Sequence, residues 1–160
     1  MGKTPAPVPS RAVAVLAVTT AVTGCHSPAE GSFPTVSLNH EVRDGKFAFT
    51  VHRVNVGTPG IGIHTAQGAF VLVDITVRNI GDELRAMYCQ NEELNDLAGK
   101  TYDDAVTAGG GEDTIEINPG KQARVTCAFD VPKGMLAAAV EVHDRVCSSG
   151  ATVQVLGALR

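Results

Sequence analysis

One cysteine near the start of the chain stands in a context for covalent modification. Residues 22–25 read VTGC, and an aliphatic residue, a small residue and glycine before cysteine form the pattern of a bacterial lipobox. Ahead of it, Lys3 and Arg11 supply positive charge, and residues 12–22 are an uncharged, mostly apolar run. This run is too short to span a bilayer of about 30 Å but has the length of a signal-peptide core. The sequence therefore predicts a lipoprotein signal peptide over residues 1–24.

Lipidation of Cys25 follows from that reading. The sulfur would take a diacylglyceryl group before cleavage, and further acylation, by palmitate for example, could follow at the freed amine. Each buried methylene contributes about 0.8 kcal/mol, so two or more acyl chains anchor a protein stably. We expect the mature chain to begin at Cys25 and to lie on the extracytoplasmic face of the cell membrane. The alternative is an ordinary secretory signal with a chance cysteine.

Three further cysteines follow the lipobox, in a compartment where disulfides persist. Cys127 lies in the middle of an apolar face and has the character of a small buried hydrophobic residue. Cys89 lies near the end of a candidate strand and Cys147 in the last turn, regions that can meet at one end of a sheet. Three single pairings are open, and the sequence favours Cys89–Cys147.

No recognised catalytic or metal-binding motif is present. The histidines at positions 26, 40, 52, 64 and 143 are scattered, and the chain has no Cys-x-x-Cys and no Gly-x-Ser-x-Gly. Acidic pairs in the candidate loops, Glu92–Glu93 among them, fit solvated rims. His143–Asp144 fits a turn oriented by a hydrogen bond. We expect no catalytic residue, no metal site, no cofactor and no enzymatic activity.

Composition bounds the remaining classes. The chain has 160 residues, of which 44% are hydrophobic and 19% charged, which suits one domain with a core. Its net charge of −4 argues against nucleic acid as the main partner.

The elements that position these residues are predicted to be strands. Residues 25–45 contain prolines, glycines and serines without a sustained period and read as a lipidated cysteine followed by a flexible tether. From Lys46 to the end the apolar residues alternate, with a phase shift near His52–Arg53 that predicts a bulge. About seven strands over residues 46–160 predict an all-β domain, an immunoglobulin-like antiparallel β-sandwich. A small closed barrel is the alternative.

An ordered set of segments from Gly68 onward resembles a known family. The segments are residues 69–79 (AFVLVDITVRN), 81–83 (GDE), 99–102 (GKTY), 118–120 (NPG), 129–134 (FDVPKG) and 141–144 (EVHD) with 149–150 (SG). Together they resemble the bacterial lipoprotein and secreted immunoglobulin-like domains catalogued as a domain of unknown function. Some members of that family carry a spurious label as telomeric-repeat-binding factors. The pattern is also similar to a secreted immunogenic antigen of actinobacteria.

The resemblance implies a β-sandwich at or released from the cell surface and brings no catalytic residues with it. Cys147 replaces an aromatic residue of similar sequences and Cys89 is also unusual in its segment, which adds support to their pairing. The resulting hypothesis is a membrane-anchored cell-envelope lipoprotein that serves as an extracytoplasmic binding or interaction module. Its expected partners are the membrane, through the lipid, and an unknown envelope or extracellular protein. Contact loops are expected at residues 57–62 and 105–114. The alternatives are an envelope carrier of a small ligand or metal ion, and a purely structural envelope protein.

Overall fold

A computed structural model describes residues 36–57, 59–109 and 113–156. Cys25 and the predicted signal peptide lie outside these residues. The described strands, in chain order, are β1 (Val36–Ser37), β2 (Glu41–Asp44), β3 (Phe47–Val56), β4 (Gly60–Ile61), β5 (His64–Thr65), β6 (Ala69–Asn79), β7 (Arg85–Tyr88), β8 (Glu93–Asp96), β9 (Thr101–Tyr102), β10 (Val106–Thr107), β11 (Thr114–Ile117), β12 (Gln122–Val131), β13 (Ala137–Val142) and β14 (Ala151–Gln154). One short 3-10 turn, Cys89–Asn91, separates β7 from β8. Within this part of the chain, no helix has the length and apolar character that a membrane crossing needs.

Two five-stranded sheets form the domain. The first sheet has the order β1-β14-β13-β8-β9 and the second the order β10-β12-β6-β3-β2. All pairs in them are antiparallel except β1 with β14, which run parallel. Two-stranded ribbons, β7-β11 and β4-β5, complete the fold. The predicted all-β sandwich is confirmed.

The core lies between the inner faces of these sheets. Along β6 the alternation predicted from the sequence holds, because Val71, Val73, Ile75 and Val77 are all buried. The same core includes residues of the first sheet, such as Leu94, Val140, Val142 and Val153. The β-branched residues of β6 and β12 suit this half-buried pleated surface, because every second side chain along each strand packs against the facing sheet.

The register of β3 against β6 confirms the predicted bulge. Val51 pairs with Ile75 and Arg53 with Asp74, so His52 is the extra residue on β3. An inserted residue reverses which side chains face inward, and Val54 returns to the core beyond it.

The start of the domain needs a correction. Sequence reasoning assigns residues 36–45 to the tether, but they form β1, β2 and the turn into β3. β1 has only two residues. In β2 the buried residues are Val42 and Asp44, of which only Val42 is apolar, so neither strand shows a sustained apolar period. Each is held in place by hydrogen bonds to a neighbouring strand rather than by its own pattern.

The disulfide joins Cys89 to Cys127, so the predicted Cys89–Cys147 pairing is wrong. The two Cα atoms are 5.3 Å apart and the residues are 38 positions apart in sequence. Both cysteines are buried, because Cys127 does face the core as predicted and Cys89, just after β7, faces it from the ribbon. Cys147 lies in an exposed turn after β13 and does not take part in this bond.

Removal of this bond should destabilise the domain strongly. By the chain-entropy model, closing a loop of 38 residues is worth about 4 kcal/mol. The double substitution Cys89→Ala with Cys127→Ala should therefore lower the free energy of unfolding by about that amount, as measured by urea denaturation. Peptide mapping of the parent chain without reductant should recover Cys89 linked to Cys127. Recovery of Cys89 linked to Cys147 would contradict the structure.

Candidate functional site

Buried carboxylates gather where β13 ends. The backbone N–H of His143 donates to Glu92 Oε2 at 2.9 Å, and the next N–H, of Asp144, donates to Asp44 Oδ2 at 2.7 Å. Glu92 comes from the connection into β8, whereas Asp44 ends β2 in the other sheet. All four residues are buried. The two adjacent amides thus tie the two sheets together at this end of the sandwich.

Asp144 also accepts a charged partner. Arg85 donates through Nε and Nη2, with Nη2 to Oδ1 at 2.6 Å, and its guanidinium lies 5.5 Å from the centre of the Phe47 ring. The backbone N–H of Lys46 donates to Asp144 Oδ2. The Asp144 carboxylate packs directly on Gly45, which has a φ of +54°, and a Cβ there would overlap it. Glycine is therefore required in this turn for both its conformation and its lack of a side chain.

A second group of polar side chains lies on the outer face of the first sheet. Glu93 on β8 is the direct cross-strand partner of Glu141 on β13. His143 follows two residues after Glu141, and one ligand atom from each of the three lies within 4.8 Å of the others. We call Glu93, Glu141 and His143 the outer cluster. His143 Nε2 is 3.7 Å from Glu141 Oε1.

Burial and like charges perturb the acids of this region. Burial raises the pKa of Glu92 well above its usual value, and the carboxylates of Asp44 and Glu93 add to the increase. Burial also raises the pKa of Glu141, again with contributions from Glu93 and Asp44. Glu92 Oε1 and His143 Nε2 are buried without a hydrogen-bond partner. Among the described residues, Arg85 is the one arginine or lysine that pairs with a buried acid of this region, and it neutralises only Asp144.

Sequence reasoning recognised only part of this arrangement. The predicted role of His143–Asp144 in orienting a turn agrees with the hydrogen bonds of Asp144. The assignment of Glu92–Glu93 to a solvated rim is wrong for Glu92, which is fully buried. Its side chain shares the inward phase with Leu94, two residues later, and this spacing was the available signal.

The two loops expected to make contacts do not lie together. The backbone N–H of Gly57, in the first loop, donates to the carbonyl of Phe70 on β6. The backbone N–H of Ala108, in the second loop, donates to the carbonyl of Thr126, and Thr126 pairs with Asp74 of β6. Phe70 and Asp74 are four residues apart, which is about 13 Å along β6. The two loops follow strands that lie on opposite sides of β6 in the sheet order. Near the second loop, a pocket of about 110 Å³ beside Cys89 is smaller than the roughly 300 Å³ typical of ligand sites.

The two facing sheets define the class of this protein as an all-β sandwich, and solved structures share this fold. MPT63, a secreted protein from Mycobacterium tuberculosis, is 18% identical, with a TM-score of 0.60 over 75% of this chain and 95% of that chain. The yjhA protein from Bacillus subtilis is 14% identical, with a TM-score of 0.55 over 75% and 98%. An uncharacterized β-sandwich protein from Clostridium difficile 630 is 11% identical, with a TM-score of 0.51 over 80% and 99%.

The particular family is the domain of unknown function DUF4352, whose model matches residues 36–153. The chain belongs to this family, and the resemblance inferred from the sequence is confirmed. The matched span begins where β1 begins. No curated protein matches the chain. The family description names no enzymatic activity.

The Arg85–Asp144 pair should contribute more to stability than a similar pair whose arginine is more exposed to solvent. Asp144 is 2% exposed and Arg85 26%, so Arg85→Ala leaves a buried carboxylate without its cation. We expect a loss of about 3 kcal/mol in the free energy of unfolding, measured by urea denaturation.

Arg53→Ala is the matched control, because Arg53 also binds an aspartate, Asp74, through Nε and Nη2, and both side chains of this pair are more exposed, Arg53 at 64% and Asp74 at 12%. The expected loss there is about 1 kcal/mol or less. Equal losses in the two variants would show that burial of Asp144 does not set the strength of its pair.

Proposed function

We propose that this chain is an envelope lipoprotein, anchored through acylated Cys25, whose β-sandwich serves as an extracytoplasmic interaction module. The observation that carries the proposal is the lipobox at residues 22–25 behind a charged and then apolar leader. The sandwich fold is compatible with this location, since MPT63, which shares it, is described as a secreted protein. A disulfide within the core suits an oxidising compartment.

Acylation has one chemical competitor at the same sulfur. With Cys89 bonded to Cys127, Cys25 and Cys147 are the other two cysteines of the sequence. A thioether cannot form a disulfide, so acylation of Cys25 and its bonding to Cys147 exclude each other. Acylation comes first, because a lipobox is modified while the signal peptide is still attached.

Labelling with radioactive palmitate separates these two fates. The parent chain should incorporate label and partition with membranes, and Cys25→Ser should lose both, because serine provides no sulfur for the thioether. Cys147→Ser is the matched control and should keep both. An unlabelled parent chain whose non-reducing peptide map links Cys25 to Cys147 would overturn the anchor.

The interaction role is tested by proximity labelling from the anchored protein. A module that binds a partner should label the same neighbour reproducibly. Purified chain carrying Cys25→Ser should compete for that neighbour, because the contacts lie in the folded domain. Labelling of abundant envelope proteins alone would favour a structural role and contradict the interaction proposal.

The net charge of −4 argues against nucleic acid as the main partner of the proposed module. The proposed module is not an enzyme, in keeping with a family description without an activity. The alternative of a small-ligand carrier has less support, because the pocket beside Cys89 is small. The alternative of a metal carrier draws on a different observation, the outer cluster.

A further inference from the structure

Two glutamates of the outer cluster, Glu93 and Glu141, face each other across adjacent strands. Glu93 and Glu141 are direct partners on adjacent antiparallel strands. Like charges at such positions destabilise a sheet, whereas opposite charges stabilise it. Among the described residues, no lysine or arginine forms an ion pair with either carboxylate, and the basic group paired with Glu141 is the imidazole of His143. The pair therefore has an electrostatic cost that a bound cation would remove.

The imidazole provides the independent observation. The His143 side chain is 10% exposed, and its Nε2 is buried with no hydrogen-bond partner, 3.7 Å from Glu141 Oε1. Its other nitrogen, Nδ1, lies 3.3 Å from Ser148 Oγ. When Nδ1 carries the proton and donates it to Ser148, Nε2 presents a lone pair to the carboxylates. A hydrogen bond from the second ring nitrogen is the usual way in which proteins orient a metal-binding histidine.

We propose that Glu93, Glu141 and His143 form a binding site for a divalent transition-metal ion, with Zn²⁺ as the ion best suited to it. Imidazole nitrogen and carboxylate oxygen are both Zn²⁺ ligands, at about 2.0–2.2 Å. Two such ligands in a tetrahedral site are about 3.4 Å apart, close to the 3.7 Å between His143 Nε2 and Glu141 Oε1. Three protein ligands leave a fourth position for water or another ligand.

The neighbouring backbone leaves room for this geometry. A Cβ on Gly150 would lie 2.6 Å from both Glu141 Oε1 and His143 Cε1, so glycine is what allows these side chains to approach each other there. Glu141 is 29% exposed, which gives an ion a path to the buried nitrogen. The three ligand atoms lie within 4.8 Å of one another, so rotations of the glutamate side chains that close the widest separation by at most about 1.4 Å would enclose an ion.

Calcium and magnesium fit less well. Both prefer oxygen ligands, and Mg²⁺ keeps several waters in an octahedral shell. An imidazole in the site favours later first-row metals such as Zn²⁺ over Mn²⁺. The competing explanation without a metal is a protonated His143 that bridges to Glu141 alone.

Titration with Zn²⁺ tests the site. The intact chain, purified in detergent with the Cys89–Cys127 disulfide formed and then treated with chelator, should bind Zn²⁺ in isothermal titration calorimetry. Zn²⁺ should also shift the ¹⁵N resonance of His143 Nε2, which a protonated imidazole bridged only to Glu141 would not show. Glu93→Gln should lower the affinity at least about tenfold, since losing a ligand costs no less than losing a residue that orients one.

Glu93→Gln also removes the opposed charge, so we expect it to raise the thermal stability of the metal-free chain, and loss of binding would not result from unfolding. Glu116→Gln is the matched control, because Glu116 is an exposed strand glutamate on β11, opposite Ala86. It should leave the affinity unchanged. The proposal is overturned by absence of Zn²⁺ binding at millimolar concentration, or by equal affinity in the two glutamine variants. Either result leaves the palmitate experiment unaffected, because lipidation of Cys25 does not depend on this cluster.

Discussion

The capture of two consecutive backbone amides by buried carboxylates is the interaction on which this end of the sandwich depends. The chain leaves β13 at His143 and must turn back into β14. A buried turn leaves backbone N–H groups without partners on a neighbouring strand. Glu92 and Asp44 accept these two hydrogen bonds from opposite sheets. An unsatisfied buried amide would cost about 1–3 kcal/mol, so the turn and the packing of the sheets are fixed together.

This solution brings a charge problem with it. Asp144 is neutralised by Arg85, whose guanidinium also packs over Phe47. Glu92 has no such cation, and burial raises its pKa well above the usual value, so it favours the protonated form. The cost of burying these acids is thus met in two different ways. On the outer face, no lysine or arginine among the described residues pairs with Glu93 or Glu141, and this imbalance is the physical reason to look for a metal ion there.

The sequence was sufficient for the long elements and insufficient for the contacts between distant ones. The alternation in β6 and β12 predicted both strands, and the phase shift at His52–Arg53 predicted the bulge. β1 is too short to show a period, and its existence depends on pairing with β14 at the other end of the chain. The Cys89–Cys127 bond likewise depends on how a ribbon packs against β12, which no local pattern records. Burial of Glu92 was visible in its phase with Leu94, but a charged residue in that phase reads as a loop.

The topology relates the proposed anchor to the outer cluster. β1 runs parallel to β14, and β14 begins at Ala151, beside Val142 at the end of β13. The chain therefore enters the first sheet at Val36 from the end where His143 lies. Ten residues separate Cys25 from Val36, and a fully extended chain of that length reaches at most about 35 Å. If Cys25 carries the lipid, the outer cluster lies at the end of the domain nearest its point of attachment. A cation bound there would reduce the repulsion between this acidic end and an anionic membrane surface, so the two proposals, although tested separately, bear on the same side of the molecule.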